Sequence, residues 1–299
     1  MAITDIEWTR RVWNPTTGCT KVSPGCKNCY AEAIAHRFWG ERKFSDVQFH
    51  ENRLETPLSW KKPTKIFVDS MSDLFHDDVT DEQLDRVFAV MALARHHTFQ
   101  ILTKRPERMM EYSRTAKQRI RMAAVDLGRR LNRDIQVFES CEWDYPLPNV
   151  WLGVSVENQR CANERIPLLR HTLAAIKFLS CEPLLEKVSI LNLDEKVYES
   201  TQKYRSEKIE MIAPTEFINW IIVGGESGSK ARPCEVEWVQ SLVQECQQAL
   251  VPVFVKQLGS NSVVCDSAST QSKQKLKSRK GGNFDEFPED LKIREFPKK

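Results

Sequence analysis

Residues 65–105 read KIFVDSMSDLFHDDVTDEQLDRVFAVMALARHHTFQILTKR. The stretch opens on Lys65–Asp69 and ends on Thr98–Thr103, two short runs rich in β-branched and aromatic residues. Runs of this kind are expected of strands buried on both faces. Between them, Thr80 and Gln83 have the spacing of a capping box. Leu84, Val87, Phe88 and Met91 then fall at i, i+3, i+4 and i+7, on one face of a helix. Strand, amphipathic helix and strand in this order predict two parallel strands joined by a right-handed crossover.

The same plan recurs along the chain. Further strand-like runs are Val150–Val156, Ile176–Cys181, Trp220–Gly225 and Val253–Lys256. Pro106 suits the first turn of a helix after the second run. Val236, Val239, Leu242, Val243 and Cys246 mark another helix between the last two. The fold class predicted is α/β, a parallel (β/α) barrel, partial or complete, of six or seven strand–helix units. Residues 1–259 are expected to form this barrel domain, with a polar insertion at 186–215. Residues 260–299 read as a basic loop carrying Lys273, Lys275, Lys277, Arg279 and Lys280, then an extension whose aromatics dock back on the barrel.

Composition narrows the class. With 299 residues, the chain is long enough for a sizeable core without disulfides. No apolar run approaches the ~18 residues of a membrane span. Asp5, Glu7, Arg10 and Arg11 interrupt any export-like start, so a cytoplasmic setting is expected. A formal net charge of +3 does not by itself imply a nucleic-acid partner. Between Leu102 and Arg133, however, there are ten Lys or Arg residues and three acids. Such a run is a solvated helix face or a phosphate-tracking surface.

Nine cysteines, an odd count, argue against a disulfide framework. Cys141, Cys161, Cys181, Cys234, Cys246 and Cys265 are scattered singly and read mostly as small core hydrophobes. Cys19, Cys26 and Cys29 stand apart, in WNPTTGCTKVSPGCKNCYA (13–31). Pro15, Gly18, Pro24 and Gly25 keep that segment out of regular structure. Ala31, Ile34, Ala35 and Phe38 then share a helix face, which places Cys29 at a helix start favourable to a thiolate.

Three thiolates in one loop are ligands for an iron–sulfur cluster or for zinc. A [4Fe–4S] cluster on three cysteines leaves one iron open, as in enzymes that cleave S-adenosylmethionine to start radical chemistry. Zinc, with His36 as a fourth ligand, is the alternative, in a nucleic-acid-binding or adaptor protein without catalysis. Three unligated thiols are the plain reading.

In (β/α) barrels, reacting groups project from the C-terminal strand ends. Those positions hold Asp69 and Asp73, Lys104 and Arg105, Ser155 and Glu157, Glu182, Glu226, and Lys256. Lys104 and Arg105 suit an anionic group of a substrate, with Asp69, Asp73 and Lys256 beside them on the rim. Glu157 and Glu182 are candidates to accept from ribose hydroxyls.

The segment Gly18–Cys19, Gly25–Cys26, Asn28–Cys29–Tyr30–Ala31 resembles a phage-associated family of uncharacterised proteins with a radical-SAM-like three-cysteine motif. The likeness extends to Lys280–Gly281–Gly282, Phe287–Pro288–Glu289–Asp290–Leu291 and Arg294–Glu295–Phe296–Pro297, so it spans nearly the whole chain. It implies a mobile-element setting and a companion protein encoded nearby, the three-Cys-motif partner. Resemblance to the wider radical SAM superfamily implies an external one-electron donor. It also offers Gly224, Gly225 and Glu226 as a Gly-Gly-Glu segment for the methionyl amino group, and Tyr30 as the aromatic beside the last cysteine. The sequence departs from the superfamily's usual C-x3-C-x2-C: the first gap is six residues, and Asn28 stands where the aromatic is usual.

Overall fold

The computed structural model describes residues 4–139, 143–193, 214–265 and 271–298. Seven parallel strands form one sheet in chain order: β1 (Arg11–Trp13), β2 (Lys65–Val68), β3 (Thr98–Thr103), β4 (Val150–Ser155), β5 (Ile176–Cys181), β6 (Trp220–Gly224) and β7 (Val253–Gln257). The order has two ends, β1 and β7, so the α/β fold is a partial parallel barrel. β4 and β6 are buried along their whole length, as strands covered on both faces must be.

Six helices of nine or more residues punctuate the described chain: α1 (Tyr30–Phe38), α2 (Asp81–Leu93), α3 (Pro106–Thr115), α4 (Lys117–Arg130), α5 (Gln159–His171) and α6 (Val236–Gln248). The capping box of α2 is present in both directions, between Thr80 and Gln83. Its Leu84, Val87, Phe88 and Met91 are buried, as are Val236, Val239, Leu242, Val243 and Cys246 of α6. α1 departs from the expected pattern. Ala31 and Ala35 are buried, whereas Ile34 is 40% and Phe38 70% exposed. No described helix is long and apolar enough to cross a membrane.

By internal contacts the chain divides into two compact units, residues 1–22, 29–153 and 171–176, and residues 23–28, 154–170 and 177–299. In the first unit, Trp13 packs on Phe99, Trp8 on Phe67, and Tyr112 on Phe75 and Phe88. β1 escapes sequence reading because three residues carry no period. It becomes a strand through its register with β2, Arg11 opposite Ile66 and Trp13 opposite Val68.

In the second unit, Trp220 of β6 sits among Phe178, Phe254 and Phe296, and its indole N–H donates to the Glu295 carbonyl at 2.9 Å. Backbone bonds from Val255 to Ile293 and from Glu295 to Val253 seat the end of the chain along β7. The stretch read as a basic loop carries short strands at Ser262–Cys265 and Gln271–Lys273, paired antiparallel. Of the expected insertion at 186–215, residues 194–213 lie outside the described residues.

Candidate functional site

In the first unit, the loop enters over the exit of β2. The Gly18 amide donates to the Met71 carbonyl at 3.0 Å, and the Ser72 hydroxyl donates to the Gly18 carbonyl at 2.6 Å. The Cys19 amide donates to the Phe44 carbonyl at 2.8 Å. The Cys19 sulfur lies 3.6 Å from Nη1 of Arg105, the N-cap residue of α3. Arg105 is ion-paired with Asp73 at 3.1 Å, and its Nη2 donates to the Thr20 carbonyl and hydroxyl. Asp73 also accepts from the Thr103 hydroxyl at 2.6 Å and the Lys104 amide at 3.0 Å. His76 shares a 2.8 Å hydrogen bond with the Thr20 hydroxyl. Burial and then the neighbouring Arg105 charge hold its imidazole below the usual pKa.

Residues 23–28 belong to the second unit. Pro24–Cys26 form a single 3₁₀ turn. Each end of this six-residue segment reaches a carboxylate that an arginine already holds. The Ser23 hydroxyl donates to Oε1 of Glu157, whose Oε2 is ion-paired with Arg165 at 2.8 Å. The Asn28 amide donates to Oε2 of Glu226 at 3.0 Å and to the Lys230 carbonyl at 2.9 Å. Arg232 grips Glu226 with its backbone N–H and two side-chain nitrogens at 2.6–3.0 Å, and its Nη1 donates to the Pro24 carbonyl at 2.8 Å. Gly25 lies against the Glu157 carboxylate so closely that a Cβ there would stand 2.8 Å from Oε1.

Cys29 is the N-cap residue of α1, with extended backbone angles and no side-chain cap bond. The Tyr30 hydroxyl donates to the Ser70 carbonyl at 2.5 Å, and its ring is half exposed. His36 is exposed on the last turns of α1. The thiols of Cys19, Cys26 and Cys29 are in no disulfide bond and are of intermediate exposure. Cys161, Cys181, Cys234 and Cys246 are buried, and desolvation drives all four thiol pKa values up, to about 11 for Cys161 and about 12 for Cys234 and Cys246. They stay protonated in the core. Cys141 and the Cys265 side chain lie outside the described residues.

The remaining rim positions resolve individually. Asp69 is 3% exposed, and its two oxygens accept from the Thr16 amide and hydroxyl at 3.0 and 2.6 Å. Ser155 is buried and its carbonyl accepts from Arg165 at 2.8 Å. Glu182 and Lys256, at the exits of β5 and β7, form a 2.7 Å ion pair. Gly224 and Gly225 run against the exit of β7, where a Cβ on Gly224 would lie 3.0 Å from the Gln257 carbonyl oxygen. Their small size is therefore already required by strand packing.

The basic stretch is largely engaged within the first unit. Arg108 and Arg119 pair with Asp81, Arg119 also with Asp85, and Arg130 with Glu55. Arg121 donates to the Phe138 carbonyl at 2.6 Å and Arg133 to the Leu58 carbonyl at 2.8 Å.

By donor chemistry, the three thiols spaced along residues 19–29 are of the kind that thiophilic metals take, and a guanidinium that favours a sulfur anion stands beside Cys19. Among the described residues, no three His, Cys, Asp or Glu side chains are already gathered at metal-binding spacing. Sequence reasoning missed Ser23, Thr20, His76, Arg165 and Arg232. Ser23, Thr20 and His76 find their partners far away in the chain, and the spacings of Arg165 and Arg232 from their glutamates, eight and six residues, match no motif.

No curated protein matches the chain. A solved structure of spore photoproduct lyase complexed with dinucleoside spore photoproduct is similar at a TM-score of 0.35 and 8% identity. The likeness covers 78% of this chain and 59% of that one. A family profile described as protein of unknown function (DUF5131) matches residues 3–288, and the chain belongs to that family.

Proposed function

We propose that the protein is an iron–sulfur enzyme of the radical S-adenosylmethionine type, with Cys19, Cys26 and Cys29 as cluster ligands. One observation carries this reading. The three loop thiols are in no disulfide bond and partly exposed, whereas the four other cysteines with described side chains are buried and protonated. When bound, a [4Fe–4S] cluster on three thiolates supplies an iron with open coordination sites and one-electron reduction, the chemistry used to cleave S-adenosylmethionine reductively.

The chain's own residues provide the setting. Arg105 aims one N–H donor at the Cys19 sulfur and keeps its own charge compensated by Asp73. The Glu182–Lys256 pair offers opposite charges to a zwitterionic ligand. Tyr30 presents half of its ring to solvent next to Cys29.

Anaerobic reconstitution with iron and sulfide tests the reading. The expected product is a brown protein that, once reduced, converts S-adenosylmethionine to 5′-deoxyadenosine. A colourless protein carrying stoichiometric zinc, or no metal after the same treatment, overturns it.

A further inference from the structure

Two arginine–carboxylate pairs in the second unit share a design. In each, a glutamate just past a strand is held by an arginine a few residues downstream, Glu157 by Arg165 and Glu226 by Arg232. Each carboxylate also accepts from a side chain at an end of the segment 23–28: Ser23 at its start and Asn28 at its finish. Arg232 adds a bond to the Pro24 carbonyl, and Gly25 is pressed against Glu157.

The carboxylates are 0% and 6% exposed, so these bonds form where competing water is scarce. A buried carboxylate that an arginine already neutralises accepts from a neutral hydroxyl or amide without carrying an uncompensated charge. The ion pairs are thus fixed points to which the loop side chains attach.

We propose that Glu157–Arg165 and Glu226–Arg232 act as two staples that hold Ser23 and Asn28, and so preset the backbone on which Cys26 is presented. The four charged residues are positioning residues for that cysteine. Its role as a cluster ligand rests on the reading above; the stapling itself does not.

Replacing either arginine would leave a buried carboxylate uncompensated and unfold the chain for unrelated reasons. The discriminating variant is the full-length double substitution Ser23→Ala with Asn28→Ala, which leaves both ion pairs intact. Its far-UV circular dichroism and melting temperature are expected to match the parent.

In the metal-free protein, alkylation of Cys26 by iodoacetamide, followed by peptide mass spectrometry, should accelerate on the order of tenfold. Cys19, held separately by Arg105, serves as internal reference and should not change. After anaerobic reconstitution, iron content per chain should fall and the electron paramagnetic resonance signal of the reduced cluster should broaden or shift. The single variant Ser23→Thr, which keeps the hydroxyl and leaves Asn28 in place, should behave as the parent.

Unchanged Cys26 alkylation in the folded double variant overturns the proposal. If the parent takes up no cluster but the alkylation difference is present, the staples stand and only the cluster reading falls.

Discussion

Arg105 approaches Asp73 to 3.1 Å with the same guanidinium nitrogen that stands 3.6 Å from the Cys19 sulfur, and both partners of the ion pair are less than one-tenth exposed. One charged group therefore links the rim of the sheet to the first cysteine of the loop. Asp73 is the counter-charge that makes this possible, and its oxygens also hold Thr103 and the Lys104 amide.

Asp73→Ala should leave Arg105 as an unpaired buried cation. Loss of one partner of a buried pair costs about 3–5 kcal/mol. Urea denaturation should show that loss at neutral pH, against a smaller one for Arg105→Lys, which keeps a charge but loses the fork.

The cysteines should divide into two groups by stability. Cys26→Ser and Cys29→Ser alter partly exposed thiols and should change folding free energy by less than about 1 kcal/mol. Cys181→Ser places a hydroxyl at a position that is 0% exposed and should cost about 1–3 kcal/mol. Chemical denaturation of the metal-free variants checks both, and metal analysis of the first two should show lost iron.

Asp69 should make stability fall as pH rises. Burial pushes its pKa from 3.8 up to about 7, against the opposing pull of the Thr16 hydrogen bonds. Between those values the folded chain keeps a proton that the unfolded chain has released. The stabilisation is complete below about pH 4 and lost by about pH 7, with a linkage contribution on the order of 4 kcal/mol. Asp69→Asn is neutral at every pH and tolerates the φ of 57° that this residue adopts. Urea midpoints at pH 5 and pH 8 should therefore shift in favour of the asparagine variant at the higher pH. An equal difference at both values would show that the carboxyl titrates normally.

Phe296→Ala should loosen the end of the chain. Its ring stacks on Trp220 at 5.4 Å and meets Phe254 edge-on at the same separation. Aromatic pairs of this kind contribute about 0.5–1.5 kcal/mol each beyond area burial. The expected result is a lower melting temperature and faster amide exchange at Val253 and Val255, whose backbone bonds run to or from the same segment.

Most of the barrel was legible because its signals are local. The capping box of Thr80 and Gln83 and the apolar face of α6 depend on residues three or four apart, and each formed as read. β1 was not legible, since three residues become a strand only beside β2. The helix face after Cys29 was half right: Ala31 and Ala35 face inward, but Ile34 and Phe38 are exposed. Periodicity tells which residues share a face, not whether another element covers it.

By itself, the sequence determined the parallel α/β class and singled out three cysteines on one loop, because turn chemistry, side-chain period and ligand type are written in short stretches. Only the tertiary structure decided that Glu157 and Glu226 hold that loop, through partners 134 and 198 residues away. Hydrogen bonds over such separations leave no periodic trace in the chain. They exist because the folded sheet brings strand exits together and excludes the water that would otherwise satisfy the same carboxylates.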